Sequence, residues 1–326
     1  MTPALMAPDA RTLFARARGR SILVVGDLMI DEWIWGTVTR ISPEAPVPVV
    51  AVADHSFTLG GAGNVANNLR ALGAHVVCAA MVGDDAFAEQ VRKLLRDEQV
   101  DDSGVFTCSD RPTTRKTRIV AHSQQVVRAD WESTAALGAA ERDRLVSFVR
   151  RRAAECDAVI VSDYAKGLLC REIVEAACAA PFVLADPKPQ NIGLFAGITC
   201  VAPNAAEACA ITGVAIVDEK SLERAGVRLI ELLDCRYAVI TRGEHGMALF
   251  GRGGERLQIP SVAHTVYDVS GAGDTVIAVL ALALAAGAPI EQAMQLANFA
   301  AGAVVAKLGT ATASPQEILA MLDPAT

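Results

Sequence analysis

The sequence predicts an α/β protein in which a doubly wound, mainly parallel sheet carries helices on both faces and a small β-sheet lid is added. From about Arg20 onward, short β-branched runs alternate with amphipathic helical stretches, a pattern typical of βαβ units around a buried sheet. Two segments, at about 32–59 and 105–131, break this rhythm with strand-like runs around polar turns. We therefore expect one domain over residues 1–326, with these two segments forming the lid.

Each element follows from a local pattern. The core strands are expected at six apolar runs: Ser21–Val25, His75–Met81, Ala158–Ser162, Phe182–Asp186, Thr199–Ala202 and Tyr237–Thr241. The helices between them are expected to include Asn64–Leu72, Asp85–Glu98, Ala139–Glu155, Ser221–Leu233 and Thr275–Ala286. The lid strands are expected at Trp33–Ile41, Val47–Ala53, Thr117–Val120 and Gln125–Ala129. Near the chain end, Ser314-Pro315-Gln316-Glu317 is a capping box that opens a last helix.

Composition excludes several classes of protein. Of the 326 residues 52% are hydrophobic, which is enough for a large core, and the net charge of −7 argues against a nucleic-acid partner. The longest apolar stretch, Val276 to Pro289, is too short to span a membrane comfortably, so we expect a cytoplasmic protein without a membrane partner. The eight cysteines form no C-x-x-C pair, which indicates neither a zinc site nor a disulfide framework.

The segment Asp268-Val269-Ser270-Gly271-Ala272-Gly273-Asp274-Thr275 follows an extended stretch and opens the most apolar helix of the chain. Small residues at Gly271, Ala272 and Gly273 let successive backbone N–H groups point at one spot, which suits a phosphoryl group. Asp274 is then placed to accept the proton of an attacking hydroxyl as a general base. A glycine-rich turn with an Asp in the first turn is also a common helix start, so these residues alone leave helix capping open.

A second glycine-rich segment, Gly60-Gly61-Ala62-Gly63-Asn64-Val65-Ala66, lies between an expected strand and an expected helix. Its Gly61-x-Gly63-x-x-Ala66 spacing also fits the dinucleotide-binding fingerprint, with Asp84 and Asp85 roughly 20 residues on, so a nicotinamide-dependent dehydrogenase stays an alternative. Against this alternative, the fingerprint belongs in the first βα turn, and the strand Ser21–Val25 comes earlier. No G-x-x-x-x-G-K-[ST] motif occurs, which excludes a P-loop kinase.

Together the two glycine-rich segments resemble the amino-terminal and carboxyl-terminal signatures of the ribokinase (PfkB-type) carbohydrate kinases, in the same order and at a suitable separation. The resemblance runs from about Ser21 to Thr312 and includes Asn204-Ala205-Ala206-Glu207 and Thr241-Arg242-Gly243-Glu244-His245-Gly246. It implies a ribokinase-like fold and an ATP-dependent carbohydrate kinase, a phosphotransferase with an alcohol group as acceptor, which uses Mg²⁺.

The resemblance also implies a role for each matching residue. Asp274 is the expected base, and the backbone at Gly271, Ala272 and Gly273 is expected to stabilise the transferring phosphoryl group. The expected nucleotide site comprises Lys188, Asn204, Glu207, Thr241, Gly243, Gly246 and Asn298, with Glu207 binding Mg²⁺ through water. The expected sugar site comprises Asp31, Gly60, Gly61, Asn64, Arg115, Lys116, Arg118 and Gln124, of which the basic residues suit a substrate phosphate.

Several of these residues keep a structural alternative. Lys188 fits a solvated loop lysine equally well, Asp31 and Asn64 fit turn or capping roles, and the basic lid residues fit a solvated strand face. Relatives that use a monovalent cation hold it near the second signature, where Asp268 and Ser270 are suitably placed, so potassium activation stays open.

Four further segments resemble the D-glycero-β-D-manno-heptose 7-phosphate kinases: Gly26-Asp27-Leu28-Met29-Ile30-Asp31, Ile41-Ser42-Pro43-Glu44-Ala45-Pro46-Val47-Pro48-Val49, Ser162-Asp163-Tyr164-Ala165-Lys166-Gly167 and Asp186-Pro187-Lys188. This resemblance implies phosphorylation of the C1 hydroxyl to the 1,7-bisphosphate, in ADP-heptose and lipopolysaccharide core biosynthesis, by a stand-alone kinase without the nucleotidyltransferase domain. Another sugar kinase of the same fold and a non-catalytic sugar-nucleotide binding protein stay as alternatives. Trp33 and Trp35 alternate on one expected lid strand, which leads us to expect a homodimer through the lids.

Overall fold

Strands and helices alternate along the chain in the computed structural model, which describes residues 5–122, 124–263 and 265–323. The strands are β1 (Ser21–Gly26), β2 (Leu28–Ile41), β3 (Pro48–Gly61), β4 (His75–Val82), β5 (Asp101–Thr107), β6 (Thr114–Ala121), β7 (Gln124–Trp131), β8 (Ala158–Ser162), β9 (Val183–Asp186), β10 (Cys200–Val201), β11 (Tyr237–Thr241), β12 (Met247–Gly251) and β13 (Arg256–Ile259). The helices are α1 (Ala7–Ala17), α2 (Ala62–Ala71), α3 (Ala86–Asp97), α4 (Ala139–Ala153), α5 (Arg171–Ala177), α6 (Ala205–Thr212), α7 (Glu219–Leu233), α8 (Ala272–Ala285), α9 (Ile290–Val305) and α10 (Pro315–Leu322). All six predicted core strands and five predicted helices are confirmed, although their ends shift by up to three residues.

The main sheet has nine strands within the described residues, in the order β13-β12-β11-β10-β9-β8-β1-β4-β5. The strands from β11 to β5 in this order run parallel to their neighbours, and β12 and β13 complete one edge in antiparallel pairing. The neighbouring strands β1 and β8 are buried along almost their whole length. Helices cover both faces of the sheet, because a continuously apolar parallel strand has no face that tolerates water.

Three neighbouring strands of this sheet end next to carboxylates. Asp27 follows β1, Asp163 follows β8, and Asp186 is the last residue of β9. The strand register pairs Gly26 with Ser162 and Ser162 with Asp186, so these three carboxylates meet at one carboxyl edge. Ligands of open α/β sheets bind at that edge.

The small sheet has the strand order β3-β2-β6-β7. Strands β2 and β3 form a long antiparallel hairpin, β6 pairs parallel to β2, and β7 pairs antiparallel to β6. The predicted bounds of the two lid segments need correction. The hairpin begins at Leu28 and ends at Gly61, and the residues from 101 to 107 belong to the main sheet as β5, because Val105 is buried there and pairs with Ala80.

Helix α8 is apolar because it lies in the core. Its residues from Asp274 to Ala285 are all buried, and it packs against α2 and α9 as well as β8 and β9. Over the described ranges, no helix combines the length and apolarity needed to cross a membrane. The predicted capping box at Ser314 and Glu317 is confirmed at the start of α10.

Candidate active site

The two glycine-rich segments meet where the first turns of α2 and α8 lie side by side. The N-cap of α8 is Gly271, with a positive φ of 77°, so Asp274 lies inside the first turn and is not the helix cap. The Asn64 side-chain amide donates to Asp274 Oδ2 at 2.7 Å. One turn further along, the Thr275 hydroxyl donates to Asn68 Oδ1 at 2.8 Å. A Cβ on Gly271 would lie 2.5 Å from Asn64 Nδ2, so glycine is required for this approach.

The second oxygen of Asp274 has a donor that the sequence reasoning missed. The Tyr164 hydroxyl donates to Asp274 Oδ1 at 2.7 Å from the loop that follows β8. The segment that contains Tyr164 resembles the heptose 7-phosphate kinases, but a lone Tyr in a loop carries no periodic signal that would mark it as a partner of a distant Asp.

Asp274 is buried, yet it can be charged near neutral pH. Burial raises the pKa of Asp274 to about 6, and the negative charge of Asp31 acts in the same direction, while hydrogen bonds from Asn64 and Tyr164 and the charge of Lys188 oppose the increase. A carboxylate with a pKa somewhat below the working pH is well matched to accept a proton from an alcohol.

Asp31 lies on the small sheet and faces the same site. It is buried within β2, and its Oδ1 accepts from Arg118 Nη1 of β6 at 2.6 Å, so it does not lie in a turn. A Cβ on Gly60 would lie 2.8 Å from Asp31 Oδ2, so Gly60 leaves room for this carboxylate. Burial raises the pKa values of both Asp274 and Tyr164, and the negative charge of Asp31 adds to both increases, so the small sheet and the α8 N-terminus contribute charges to one site.

The basic residues predicted in the lid divide between two faces of the small sheet. Lys116 is opposite Asp31 in the register of β6 and β2, and Arg118 is opposite Trp33, so both side chains share the face of Asp31. Arg115 is on the other face, with its guanidinium 3.8 Å from the ring centroid of Phe87 and 3.7 Å from that of Trp131. It also lies 3.3 Å from Glu32 Oε2. The predicted role of Arg115 at the sugar is therefore not supported by its position.

Gln124, also predicted at the sugar, opens β7 opposite Ala121. Ala121 lies five positions beyond Lys116 on β6, roughly 16 Å along the strand, so the structure does not bring Gln124 to Asp31.

Around Lys116 the described charges alternate in sign. They comprise the cations Lys116, Arg118, Arg128 and Lys166 and the carboxylates Asp31, Asp130 and Glu132.

A cavity of about 740 Å³ opens on the other side of the α8 N-terminus, which is a suitable volume for a small-molecule cofactor. Four residues predicted for the nucleotide line it, namely Thr241, Gly243, Gly246 and Asn298, and so do Ala272 and Gly273. Its apolar wall includes Val266, Val269 and Val305, for which the sequence analysis predicts no role, because a lone valine gives no signal of ligand contact. The Ala272 amide, one of the predicted phosphoryl donors, donates to Val269 O at 3.2 Å.

The remaining predicted nucleotide residues form a cluster beside this cavity. Lys188 Nζ lies 2.5 Å from Glu207 Oε1, and Glu207 Oε2 accepts from the Asn204 backbone N–H at 3.0 Å. Asn204 is the N-cap of α6, and its side chain accepts from the Glu207 backbone N–H in a capping box. Lys188 is therefore an ion-paired residue and not a solvated loop lysine, whereas the Asn204 side chain serves the helix end.

Magnesium was predicted at Glu207 through water, and the donor set there fits this ion. Mg²⁺ keeps several waters and uses one or two carboxylates together with substrate phosphates, so a full cage of side chains is not required. The part of the chain that is described contains no cluster of three metal-ligating side chains. Burial raises the pKa of Asp186 to about 7, and the charges of Glu207, Asp274 and Asp163 add to this effect. A cation that arrives with the nucleotide phosphates would stabilise the negative charge of these buried carboxylates.

The dinucleotide fingerprint is not built as a phosphate site. A Cβ on Gly61 would lie 2.4 Å from Asp27 O, and one on Gly63 would lie 2.9 Å from the Leu59 side chain. These glycines therefore allow α2 to pack closely against its own chain. The strand before them, β3, also pairs antiparallel to β2 in the small sheet and does not belong to a first βα turn.

Comparison with known proteins agrees with this geometry. The family model of pfkB family carbohydrate kinases matches residues 20–317. This chain belongs to that family. It is 46% identical over 316 residues to the bifunctional protein HldE of Geobacter metallireducens and 44% identical over 317 residues to that of Citrifermentans bemidjiense. These alignments cover 95% and 96% of this chain but only 64% and 65% of the relatives, so the chain spans less than their full length.

Solved structures share the ribokinase-like fold. Arabidopsis thaliana ribokinase complexed with ribose and ATP matches with a TM-score of 0.74 at 19% identity, covering 94% of this chain and 99% of the ribokinase. Escherichia coli phosphofructokinase-2 in complex with potassium matches with a TM-score of 0.76 at 18% identity, covering 93% and 98%. At such identities the likeness shows the fold alone. Family membership makes the chain an ATP-dependent carbohydrate kinase, which removes the dehydrogenase alternative.

Proposed function

We propose that the chain transfers the γ-phosphoryl group of ATP to the C1 hydroxyl of D-glycero-β-D-manno-heptose 7-phosphate, giving the 1,7-bisphosphate in ADP-heptose and lipopolysaccharide core biosynthesis. The observation that carries the proposal is the pair of Asp31 and Arg118, beside Lys116, on one face of the small sheet. A carboxylate suits sugar hydroxyls, and cations suit a phosphate on the same substrate. The segments that resemble heptose 7-phosphate kinases and the HldE relatives support the heptose.

In the proposed reaction Asp274 is the base. The C1 oxygen forms a bond to the γ-phosphorus while the bond from that phosphorus to the β–γ bridging oxygen breaks, and ADP leaves with the electron pair. Asp274 accepts the C1 hydroxyl proton and later releases it to water. A positioned base contributes about 10²–10⁴ in rate. Magnesium, when bound with ATP, would neutralise charge on the phosphates.

The α8 N-terminus is the proposed phosphoryl site. A Cβ on Gly273 would lie 3.8 Å from Asp186 Oδ2, so this position leaves room for a group to approach the backbone. A helix N-terminus also carries a positive potential that stabilises the transferring group. The cavity lined by Thr241, Gly246 and Gly273 is the proposed place for the nucleotide, because it ends at this helix start. Lys188 and Glu207 flank it and would meet the phosphates and Mg²⁺.

The experiment that tests the proposal measures conversion of ATP to ADP with Mg²⁺ on heptose 7-phosphate, unphosphorylated heptose, ribose and fructose phosphates. Phosphorus NMR then reads the position of the new phosphate. We expect turnover on heptose 7-phosphate, with the new phosphate on C1. Faster turnover on another sugar would support the kinase activity but contradict heptose 7-phosphate as the substrate. Sugar binding without turnover on the whole panel would favour the non-catalytic binding protein.

The role of the basic face is tested separately. Lys116→Ala should raise the KM for heptose 7-phosphate by about tenfold or more, because a charge-assisted contact to phosphate is lost. The KM for unphosphorylated heptose should stay within about twofold. Lys93→Ala is the matched control, since Lys93 is an exposed lysine on α3 that pairs with Asp97. Equal effects of Lys116→Ala on both sugars would favour a kinase for another sugar.

We also propose that two copies associate through the small sheet. Trp33 and Trp35 stack with ring centroids 5.5 Å apart, and Trp35 and Val52 are 40% and 62% exposed. Light scattering should give a dimer that Val52→Lys shifts towards monomer, and a monomer at all concentrations would contradict the proposed dimer.

Potassium activation stays a prediction, which is tested by measuring kinase activity after K⁺ is replaced with Na⁺. The Asp268 oxygens accept from the backbone N–H groups of Ser270 and Gly309.

A further inference from the structure

We propose that Tyr164 is a positioning residue for the base, holding the Asp274 carboxylate in its ionised form and in the orientation that faces the acceptor hydroxyl. The inference deepens the proposed function, since it depends on Asp274 being the base. Its foundation is the contact of 2.7 Å in which the Tyr164 hydroxyl donates to Asp274 Oδ1. Asn64 occupies the other oxygen, Oδ2, at the same distance.

The backbone of the loop that carries Tyr164 is held in place by features that are energetically unfavourable by themselves. The buried Asp27 accepts the Tyr164 backbone N–H at 2.8 Å and that of Lys166 at 3.1 Å. The buried Asp163 accepts the Ala165 backbone N–H at 2.8 Å, and Ala165 has a positive φ of 55°. Burying two carboxylates and straining a non-glycine residue is unfavourable unless the geometry is needed. These contacts fix the backbone from which the Tyr164 side chain reaches Asp274.

Two donors on two different oxygens define the plane of a carboxylate. Each oxygen of Asp274 retains a second lone pair, so the acceptor hydroxyl can still donate to it. Hydrogen bonds to the charged form also favour ionisation, which a buried carboxylate needs if it is to act as a base. Burial and the charge of Asp274 raise the pKa of Tyr164 well above its usual value, so the phenol stays a donor throughout the working pH range.

The charges that face Asp274 come from three elements. Asp31 acts from β2 of the small sheet, Asp186 from the end of β9, and Lys188 from the loop that follows it. Asp31 and Asp186 disfavour a further negative charge, whereas Lys188 favours it. Lys188 Nζ also lies 5.4 Å from the Tyr164 ring centroid, so this cation is close to the phenol as well as to the base. Loss of the phenol would remove one of the few groups that keep Asp274 ionised.

The test is the pH dependence of kcat/KM in Tyr164→Phe. We expect the acidic limb of this pH profile to move to higher pH by about one pH unit. Loss of one charge-assisted hydrogen bond to the Asp274 carboxylate produces a pKa change of this size. At the plateau, kcat should fall about tenfold while the KM values for ATP and sugar stay within about twofold. Tyr237→Phe, which alters a tyrosine on β11, is the matched control and should change neither quantity. A limb that does not move, with activity lowered equally at every pH, would show a merely structural role and overturn the proposal.

A second variant keeps the test decisive if Tyr164→Phe folds poorly. A fluorinated tyrosine at position 164 is a stronger donor of the same shape, so the acidic limb should move downward, and an unchanged or raised limb would contradict the proposal. Asp274→Asn in the same series separates the two levels of inference. If Asp274→Asn is inactive but neither Tyr164 variant moves the limb, only the role of Tyr164 fails. If Asp274→Asn keeps normal turnover, the base assignment itself fails.

Discussion

The Asn64 amide donates to Asp274 Oδ2 at 2.7 Å, although 210 positions separate the two residues in the chain. This contact explains why two glycine-rich segments are needed for one site. Gly271 removes the Cβ that would collide with Asn64, and Gly63 lets α2 approach Leu59. The close packing of α2 on α8 then fixes Asp274 at the helix terminus where the phosphoryl group is expected.

Asp274→Asn should lower turnover by about 10² or more, with ATP affinity nearly unchanged. The side-chain amide cannot accept a proton at neutral pH, and it offers one acceptor oxygen to the two donors Asn64 and Tyr164. Single-turnover kinetics and calorimetric titration with ATP measure the two effects. Asp97→Asn, on the exposed side of α3, is the control and should behave as the wild type. Turnover near the wild-type value would contradict the assignment of the base.

The kcat/KM of the wild type should fall on the acid side with an apparent pKa of about 6. Burial raises the pKa of Asp274 to about 6, and only the ionised carboxylate can act as the base. Activity should therefore be constant above about pH 7 and fall about tenfold per unit well below pH 6. A profile measured from pH 4.5 to 8.5 at constant ionic strength checks this. Constant activity down to pH 5 would mean that no raised carboxyl group controls the reaction.

The main sheet and the importance of the two glycine-rich segments can be predicted from the sequence, because periodic patterns and glycine-rich turns are local features. The face on which a lid residue points is not local. Arg115 and Lys116 are neighbours in a basic run and point to opposite faces because strand side chains alternate. Only the register of β6 against β2 decides that Lys116, and not Arg115, shares the face of Asp31. Tyr164 was missed for a related reason, since its partner Asp274 lies 110 positions away.

Arg115→Ala should destabilise the protein without weakening sugar binding. The guanidinium lies between the rings of Phe87 and Trp131 and pairs with the buried Glu32. Loss of the cation–π contacts and of a partner for Glu32 should lower the free energy of unfolding by about 2 kcal/mol or more. Chemical denaturation measures this, with the exposed Arg96→Ala as a control expected within about 0.5 kcal/mol. A large increase in the sugar KM for Arg115→Ala alone would restore its predicted role at the substrate.

Asp186→Asn should stabilise the ligand-free protein, and more so at pH 8 than at pH 5. Burial raises the pKa of Asp186 to about 7, above the value near 4 of an Asp in the unfolded chain. The folded state therefore binds this proton more tightly, so the contribution to stability is full below about pH 4 and is lost as the pH rises towards 7. Asn has no charge to bury, so its advantage grows over that interval. Thermal unfolding of both proteins at pH 5 and pH 8 measures the difference in Tm. Equal Tm differences between the two proteins at pH 5 and pH 8 would contradict the raised pKa of Asp186. The same substitution should also lower kcat, because Asp186 lies next to the proposed phosphoryl site.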